Sequence, residues 1–299
     1  MIKRTLFIGD PTYLHLQQKQ LVLERDKEII ASIPIEDIGF VVIDHPQILL
    51  TQGIINALAQ NKVALITTDQ KHLPTGLHLP LSGHSLHSKI IDAQANFSEA
   101  RKGKLWKLVV KRKIQEQITS LELENKPTQA LTRLVEKVKN GDPTNIEAQA
   151  AQYYWKHIFQ APFKRDPDGE EINALLNYGY AIARAATARA LVGTGLHPSL
   201  GINHQNQYNA YCLADDLMEP LRPWVDTQVV NWIKSLPTDE TPHPTQAFKA
   251  DILSFLNQNC LSQNKKSPFI NALSTYANSI KEHILLGNTH DPIFPERIL

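Results

Sequence analysis

Between Gly201 and Asp226 the chain reads GINHQNQYNAYCLADDLMEPLRPWVD, which sets one histidine, His204, ahead of three carboxylates, Asp215, Asp216 and Glu219. Asp216 and Glu219 are three residues apart and Asp215 and Glu219 four, so either pair shares one face of a helix. Stacked carboxylates repel one another unless a cation lies between them. With an imidazole nearby, a divalent metal is the natural candidate. Glu147, in the otherwise apolar pattern NIEAQAAQYYW, is a candidate third ligand. The competing explanation is local: acidic residues at a helix start favour the macrodipole and cap free N–H groups. Pro220 and Pro223 break the segment soon afterwards. Spacing alone leaves both explanations open.

Bringing Glu147 to His204, across 57 residues of chain, requires two separate helices to meet. At 299 residues the chain suits two domains better than one core. Its first third reads as strands. Thr5 to Ile8, Tyr13 to Gln17, Leu21 to Glu24 and Glu28 to Ile33 are short β-branched or alternating segments, and IGFVVI (Ile38 to Ile43) and VALIT (Val63 to Thr67) are strands buried on both faces. One helical pattern, Leu50 to Ala59, interrupts them. A Pro-, Gly-, Ser- and His-rich stretch, HLPLSGHSLH, reads as a connection. Beyond it strand signals almost vanish. Helical patterns run from Lys89 to Leu123, Thr128 to Lys139, Thr144 to Phe159, Glu170 to Leu191 and Leu213 to Met218, with three more helices after that. The expected fold class is α+β in two domains: a mostly-β N-terminal domain over 1–80, a linker over 81–88 and an all-α catalytic domain over 89–299.

The formal net charge of +1 gives no global pull toward nucleic acid, so any DNA contact must come from local basic patches. Cys212 and Cys260 are far apart and lie outside any CxxC motif, which argues against a disulfide framework or a structural zinc site. No signal-peptide pattern and no apolar run long enough to span a bilayer is evident, so a cytoplasmic protein with no membrane attachment is expected. There is no GxxxxGK[ST] loop, and no Ser/His/Asp or reactive-cysteine arrangement stands out.

The run LADDLMEPLRP following GINH resembles the signature of the CRISPR-associated adaptation integrases, which insert new spacers into CRISPR arrays. The N-terminal stretch PIEDIGFVVIDHPQILLTQGIINALAQNKVALITTDQKHLPTGLHLPLSGHS resembles the subtype that accompanies a single-protein effector nuclease, and RDPDGEEINALLNYGYAIARA resembles a helix start of the same family. Matches in this order extend over nearly the whole chain. The resemblance implies that Glu147, in EAQAAQYYW, is the first metal ligand, that His204 is the histidine following a Gly-x-x motif, and that Glu219 is the third ligand. It implies Mg2+ or Mn2+ as cofactor, double-stranded DNA as substrate, and attack of a fragment's 3′-hydroxyl on a repeat phosphodiester. It also implies a homodimer, a small ferredoxin-like adaptation partner protein and, in the matching subtype, the effector nuclease as a further partner. A non-enzymatic DNA-end scaffold of the same fold is the alternative, and an unrelated metal-dependent nuclease a third possibility.

Further candidates surround this set. His197, before a proline in GTGLHPSL, is the competitor expected to lie outside the metal shell. Asp216 is a candidate auxiliary ligand and Asp215 a capping or supporting residue. Lys104, Lys107 and Lys111 fall on one helical stripe of RKGKLWKLVVKRK, and Lys164 with Arg165 forms a second basic candidate for phosphate contacts. Asn173, Asn177 and Tyr178, with Tyr180 nearby, are candidates for lining the DNA end. Arg184 and Arg189 could pair with phosphates or with acidic neighbours.

Overall fold

The computed structural model describes residues 3–159, 163–237, 239–287 and 291–298. Two four-stranded sheets come first along the chain. β1 (Arg4–Ile8), β2 (Tyr13–Gln17), β3 (Gln20–Arg25), β4 (Glu28–Pro34), β5 (Ile38–Ile43), β6 (Leu49–Leu50), β7 (Ala64–Thr68) and β8 (Pro74–His78) assemble as β1-β5-β7-β8 and β4-β3-β2-β6. β5 is parallel to both β1 and β7, which is why IGFVVI is almost wholly buried and lacks polar alternation. β2, β3 and β4 form a meander. Its two-residue turns place Gln18, Lys19, Asp26 and Lys27 at positive φ, the geometry that matches the strand twist. The strand expectations hold to within a residue or two, while the short β6 and the edge strand β8 were not anticipated. Helix α1 (Gln52–Gln60) starts where the Thr51 hydroxyl accepts from the Ile54 N–H.

The long helical pattern over 89–123 is two helices, α2 (His87–Ala95) and α3 (Glu99–Leu123). Asn96 ends the first by turning its amide back onto the Asp92 carbonyl, and α3 begins after Ser98. α4 (Gln129–Val135) and α5 (Ile146–Ile158) follow. The α5 start is heavily capped: Asn145 accepts from Ala148, and the Asp142 carboxylate accepts from both Ile146 and Glu147. α6 (Ile172–Thr194) runs through the middle of the helical part and stops at Gly195, whose φ of 89° suits a residue without a Cβ. α7 (Cys212–Met218) passes through a 3-10 turn, Glu219–Leu221, into α8 (Arg222–Ser235), and α9 (Gln246–Phe255) and α10 (Phe269–Leu286) complete the helices.

The C-terminal part is not all-α. β9 (Asn259–Ser262) and β10 (Lys265–Pro268) form an antiparallel hairpin turning at Gln263 and Asn264, and Leu261 bridges to Glu296 near the C-terminus. The parts also share a core. One apolar cluster, with Leu14, Leu21, Ile54 and Leu58, lies between the sheets and α1. In the larger cluster, Phe40, Val42, Ala64 and Ile66 of the first sheet pack with the helical residues. The connection over 81–88 is therefore not a spacer between independent bodies. Both cysteines are buried and unpaired, and no described helix is long and apolar enough to cross a membrane.

Candidate metal centre

Three helical elements bring Glu147 and Glu219 together, and the residue that joins them is a lysine. Lys113 projects from the middle of α3 with its side chain about one-tenth exposed. Its Nζ lies 2.6 Å from Glu147 Oε1, at the start of α5, and 2.5 Å from Glu219 Oε2, in the 3-10 turn. The two carboxylate oxygens are thus no further apart than those two contacts laid end to end. Burial alone would lower the Lys113 ammonium, but Glu219 and Glu147 outweigh it and raise it. Glu219 is 5% exposed. Burial would push its carboxyl up, yet Arg222 and Lys113 hold it down at about 2. Arg222 Nε donates to Glu219 Oε1 at 2.8 Å, and Oε2 faces the Lys113 ammonium.

His204 stands beside this pair, in the loop before α7. Asp216, fully buried, builds that loop: Oδ2 accepts the N–H of Ile202 and Asn203, and Oδ1 accepts the N–H of His204. His204 Nδ1 sits 2.6 Å from the same Oδ1, and this hydrogen bond raises the imidazole against the opposing effect of burial, with smaller contributions from Glu219 and Glu147. Trp106 meets the ring edge-on at 5.9 Å. With Nδ1–H committed to Asp216, Nε2 carries the free lone pair, the arrangement in which a carboxylate orients a histidine for a cation.

The donor set, two carboxylates and an oriented imidazole, suits Mg2+ or Mn2+ in chemistry, and Glu219 Oε2 is a buried acceptor facing a cation. Among the described residues, however, no three His, Cys, Asp or Glu side chains already gather as a metal-binding group. The carboxylates converge on Lys113 instead.

Asp216 is turned wholly toward the 202–204 backbone and His204, so it orients the histidine. Asp215 is not a cap: Arg184 grips it through Nε at 2.6 Å and a second nitrogen at 3.0 Å, and Asn209 adds a third bond. His197 lies apart, held through its backbone by Gln94.

Tyr178 cannot line DNA. It is fully buried, packed edge-on against Phe248, with Lys249 near its ring. Two residues along α6 is more than half a revolution, so it is Tyr180 that faces the candidate site, donating to the Asp226 carboxylate. Asn173 and Asn177 are spent on the chain itself. Asn173 accepts from Arg165 and from the Asp166 N–H, and Asn177 accepts from Arg165 while donating to the Pro167 carbonyl. They pin Arg165 over the Tyr180 ring. Lys164 is exposed. Lys104, Lys107 and Lys111 make no ion pair among the described residues, and they lie between about a third and a half of a revolution around α3 from Lys113. Arg189 is held by the Lys62 carbonyl, and burial lowers it to about 10.

Sequence reasoning missed Lys113, Arg222 and Asp226. Asp226 is 1% exposed and accepts from Tyr154 at 3.0 Å and from Tyr180. Burial pushes its carboxyl up to about 7, against those hydrogen bonds and the nearby cations. It lines a cavity of about 130 Å3 with Lys113, Arg165, Tyr180, Glu219 and Arg222.

The family model described as CRISPR associated protein Cas1 matches residues 6–243. A CRISPR-associated endonuclease Cas1 of Neisseria meningitidis serogroup C (strain 8013) is 38% identical over 233 residues, covering 77% of this chain and 76% of the relative. In fold, a casposase bound to integration product matches with a TM-score of 0.79 at 19% identity, over 97% of this chain and 93% of that one. A chain of a partial Cas6-RT-Cas1–Cas2 complex matches with a TM-score of 0.64 at 17% identity, over 99% of this chain and all of the other. The fold likeness is carried by sequences that have diverged widely, but the family match, over residues 6–243, takes in Glu147, His204 and Glu219. The chain belongs to the CRISPR-associated Cas1 family.

Proposed function

We propose that this chain is a divalent-metal-dependent DNA integrase that inserts short fragments as new spacers into a CRISPR array, with Glu147, His204 and Glu219 as the residues that hold Mg2+ or Mn2+. The observation that carries this reading is the seating of one buried cationic group, the Lys113 ammonium, between the Glu147 and Glu219 carboxylates. Two carboxylates brought to one point in a mostly buried place have little use near DNA except to hold positive charge. Bound there, the metal would stabilise charge on the reacting phosphate. Arg222 fixes the angle of Glu219 through Oε1, leaving Oε2 for the cation. Asp216 holds the His204 ring with Nε2 free. Arg165 and Arg222, both beside Tyr180, add fixed positive charge next to the reacting position. In the exchange a fragment's 3′-oxygen bonds to a repeat phosphorus as the repeat's own 3′-oxygen departs with a proton. One ester replaces another, so no nucleotide hydrolysis is required.

Double-stranded DNA, a second copy of this chain and a small ferredoxin-like adaptation protein are the proposed partners, acting in the cytoplasm, with the effector nuclease of the single-protein subtype as a further one. Support comes from the family, from the casposase solved with an integration product and from the Cas1–Cas2 assembly of similar fold. A non-catalytic DNA-end scaffold is the second reading. The observation in its favour is that Lys113 already neutralises the carboxylates.

Joining of a short duplex to a supercoiled plasmid carrying a repeat, with and without Mn2+, separates the two. Integration predicts joining that needs the metal and disappears in Glu219→Ala while duplex binding stays nearly intact. Joining by Glu219→Ala at the unmodified rate would remove Glu219 from the chemistry.

A further inference from the structure

Lys113 lies between the two carboxylates that the proposed function assigns to the metal, and it borders a cavity on its other side. The side chain borders the cavity of about 130 Å3 that also holds Tyr180, Arg222 and the buried Asp226 carboxylate. The Lys113 charge favours the ionised form of Asp226 across that space. Glu219 would not be released by a change of cation, because Arg222 keeps its Oε1.

We propose that Lys113 is a two-position side chain. In the metal-free protein its ammonium bridges Glu147 and Glu219, and when a divalent cation enters, it withdraws into the adjoining cavity toward Asp226. This rests on the reading that Glu147 and Glu219 hold the cation. The lysine acts as a positioning residue and a built-in competitor. It keeps two carboxylates from repelling each other before metal arrives, at the cost of weakening metal binding. Asp226 is the counter-charge that makes the withdrawn position tolerable for an ammonium, since a buried, unpaired ammonium would be strongly disfavoured.

The test is Mn2+ affinity in the absence of DNA, read from the loss of the free-Mn2+ paramagnetic resonance signal. Wild type, Lys113→Met, Asp226→Asn, the Lys113→Met/Asp226→Asn double variant and Glu219→Ala are compared. Lys113→Met should bind Mn2+ roughly tenfold more tightly than wild type, because a displaced unit charge no longer opposes the cation. Asp226→Asn should bind more weakly than wild type, and this loss should shrink in the Lys113→Met background, since there is no ammonium left to accommodate. A purely structural lysine would give unchanged or weaker Mn2+ binding in Lys113→Met, which overturns the proposal. Equal effects of Asp226→Asn in both backgrounds overturn the withdrawn position. If Lys113→Met fails to fold, Asp226→Asn alone decides, and wild-type affinity in it counts against the proposal. Absence of any Glu219-dependent Mn2+ binding in wild type would instead remove the metal site itself, and the two-position lysine with it.

Discussion

His204 Nδ1 and Asp216 Oδ1 lie 2.6 Å apart, and the same carboxylate receives the backbone N–H groups of Ile202, Asn203 and His204. One buried side chain therefore shapes the loop and aims the ring. Asp216→Asn keeps the size but turns one acceptor into a donor. It should lower plasmid joining or Mn2+ affinity by about 10–100-fold, the usual effect of losing a group that orients a metal-binding histidine. Adding His204→Ala to it should cost little more. Two losses that simply multiply would show that Asp216 does not work through His204.

The lysine stripe gives a separate expectation. Lys104 is exposed, Lys107 and Lys111 are half-buried, and none is tied up in an ion pair among the described residues. Changing all three to Ala should weaken binding to every duplex alike and flatten the dependence of log K on log salt by about 2–3 units. Because the stripe points away from Lys113, Mn2+ affinity should not change. An unaltered salt slope would leave these lysines as a solvated face.

A third expectation concerns the joint between sheet and helices. Lys249 of α9 lies 2.6 Å from Asp44, which follows β5, and the two are 4% exposed each. Burial would raise the Asp44 carboxyl, but its hydrogen bonds with Lys249, Thr68 and His72 hold it below its ordinary value. Lys249→Ala would strand a buried carboxylate and should cost about 3–5 kcal/mol in a urea titration. The paired change Lys249→Met with Asp44→Leu should recover most of that. A loss under about 1 kcal/mol for the single change would show that water reaches Asp44.

Asp226 sets a pH dependence. Its folded value is up at about 7, above the ordinary 3.8, so between those values the folded protein holds a proton that the unfolded chain has released. Its contribution to stability is thus greatest at low pH and declines as pH rises from about 4 to about 7, then stays flat. Asp226→Asn removes this slope. Relative to wild type, it should gain up to a few kcal/mol on moving from pH 4.5 to pH 8. Parallel stability curves for the two proteins across that range would contradict the assignment.

Much of the frame was legible because its signals are local. IGFVVI is a strand in the centre of a sheet, and its unbroken apolar run says so without help from the rest of the chain. The hairpin of β9 and β10 was hidden because NCLSQNKKSP is short and polar, with Gln263 and Asn264 as its only turn signal. Around the candidate site, types were readable and partners were not. His204 and Glu219 stand out by chemistry, but Lys113 meets Glu147 and Glu219 only because three elements distant in sequence converge. Within a basic run, nothing local marks Lys113 as the one that turns inward. Tyr178 and Tyr180 are likewise indistinguishable until the face of α6 that meets the site is known.

The apolar cluster shared by Phe40, Val42, Ala64 and Ile66 with the helices also limits how this chain can be cut or recombined. A fragment ending near residue 80 would carry one finished core, around Leu14, Leu21 and Ile54, and one raw apolar face where α6 and its neighbours were. Such a fragment would be sticky, not inert, and the helical remainder would bear the matching wound. A chimera exchanging the sheets or the helices between relatives must therefore also exchange the residues that meet across this seam.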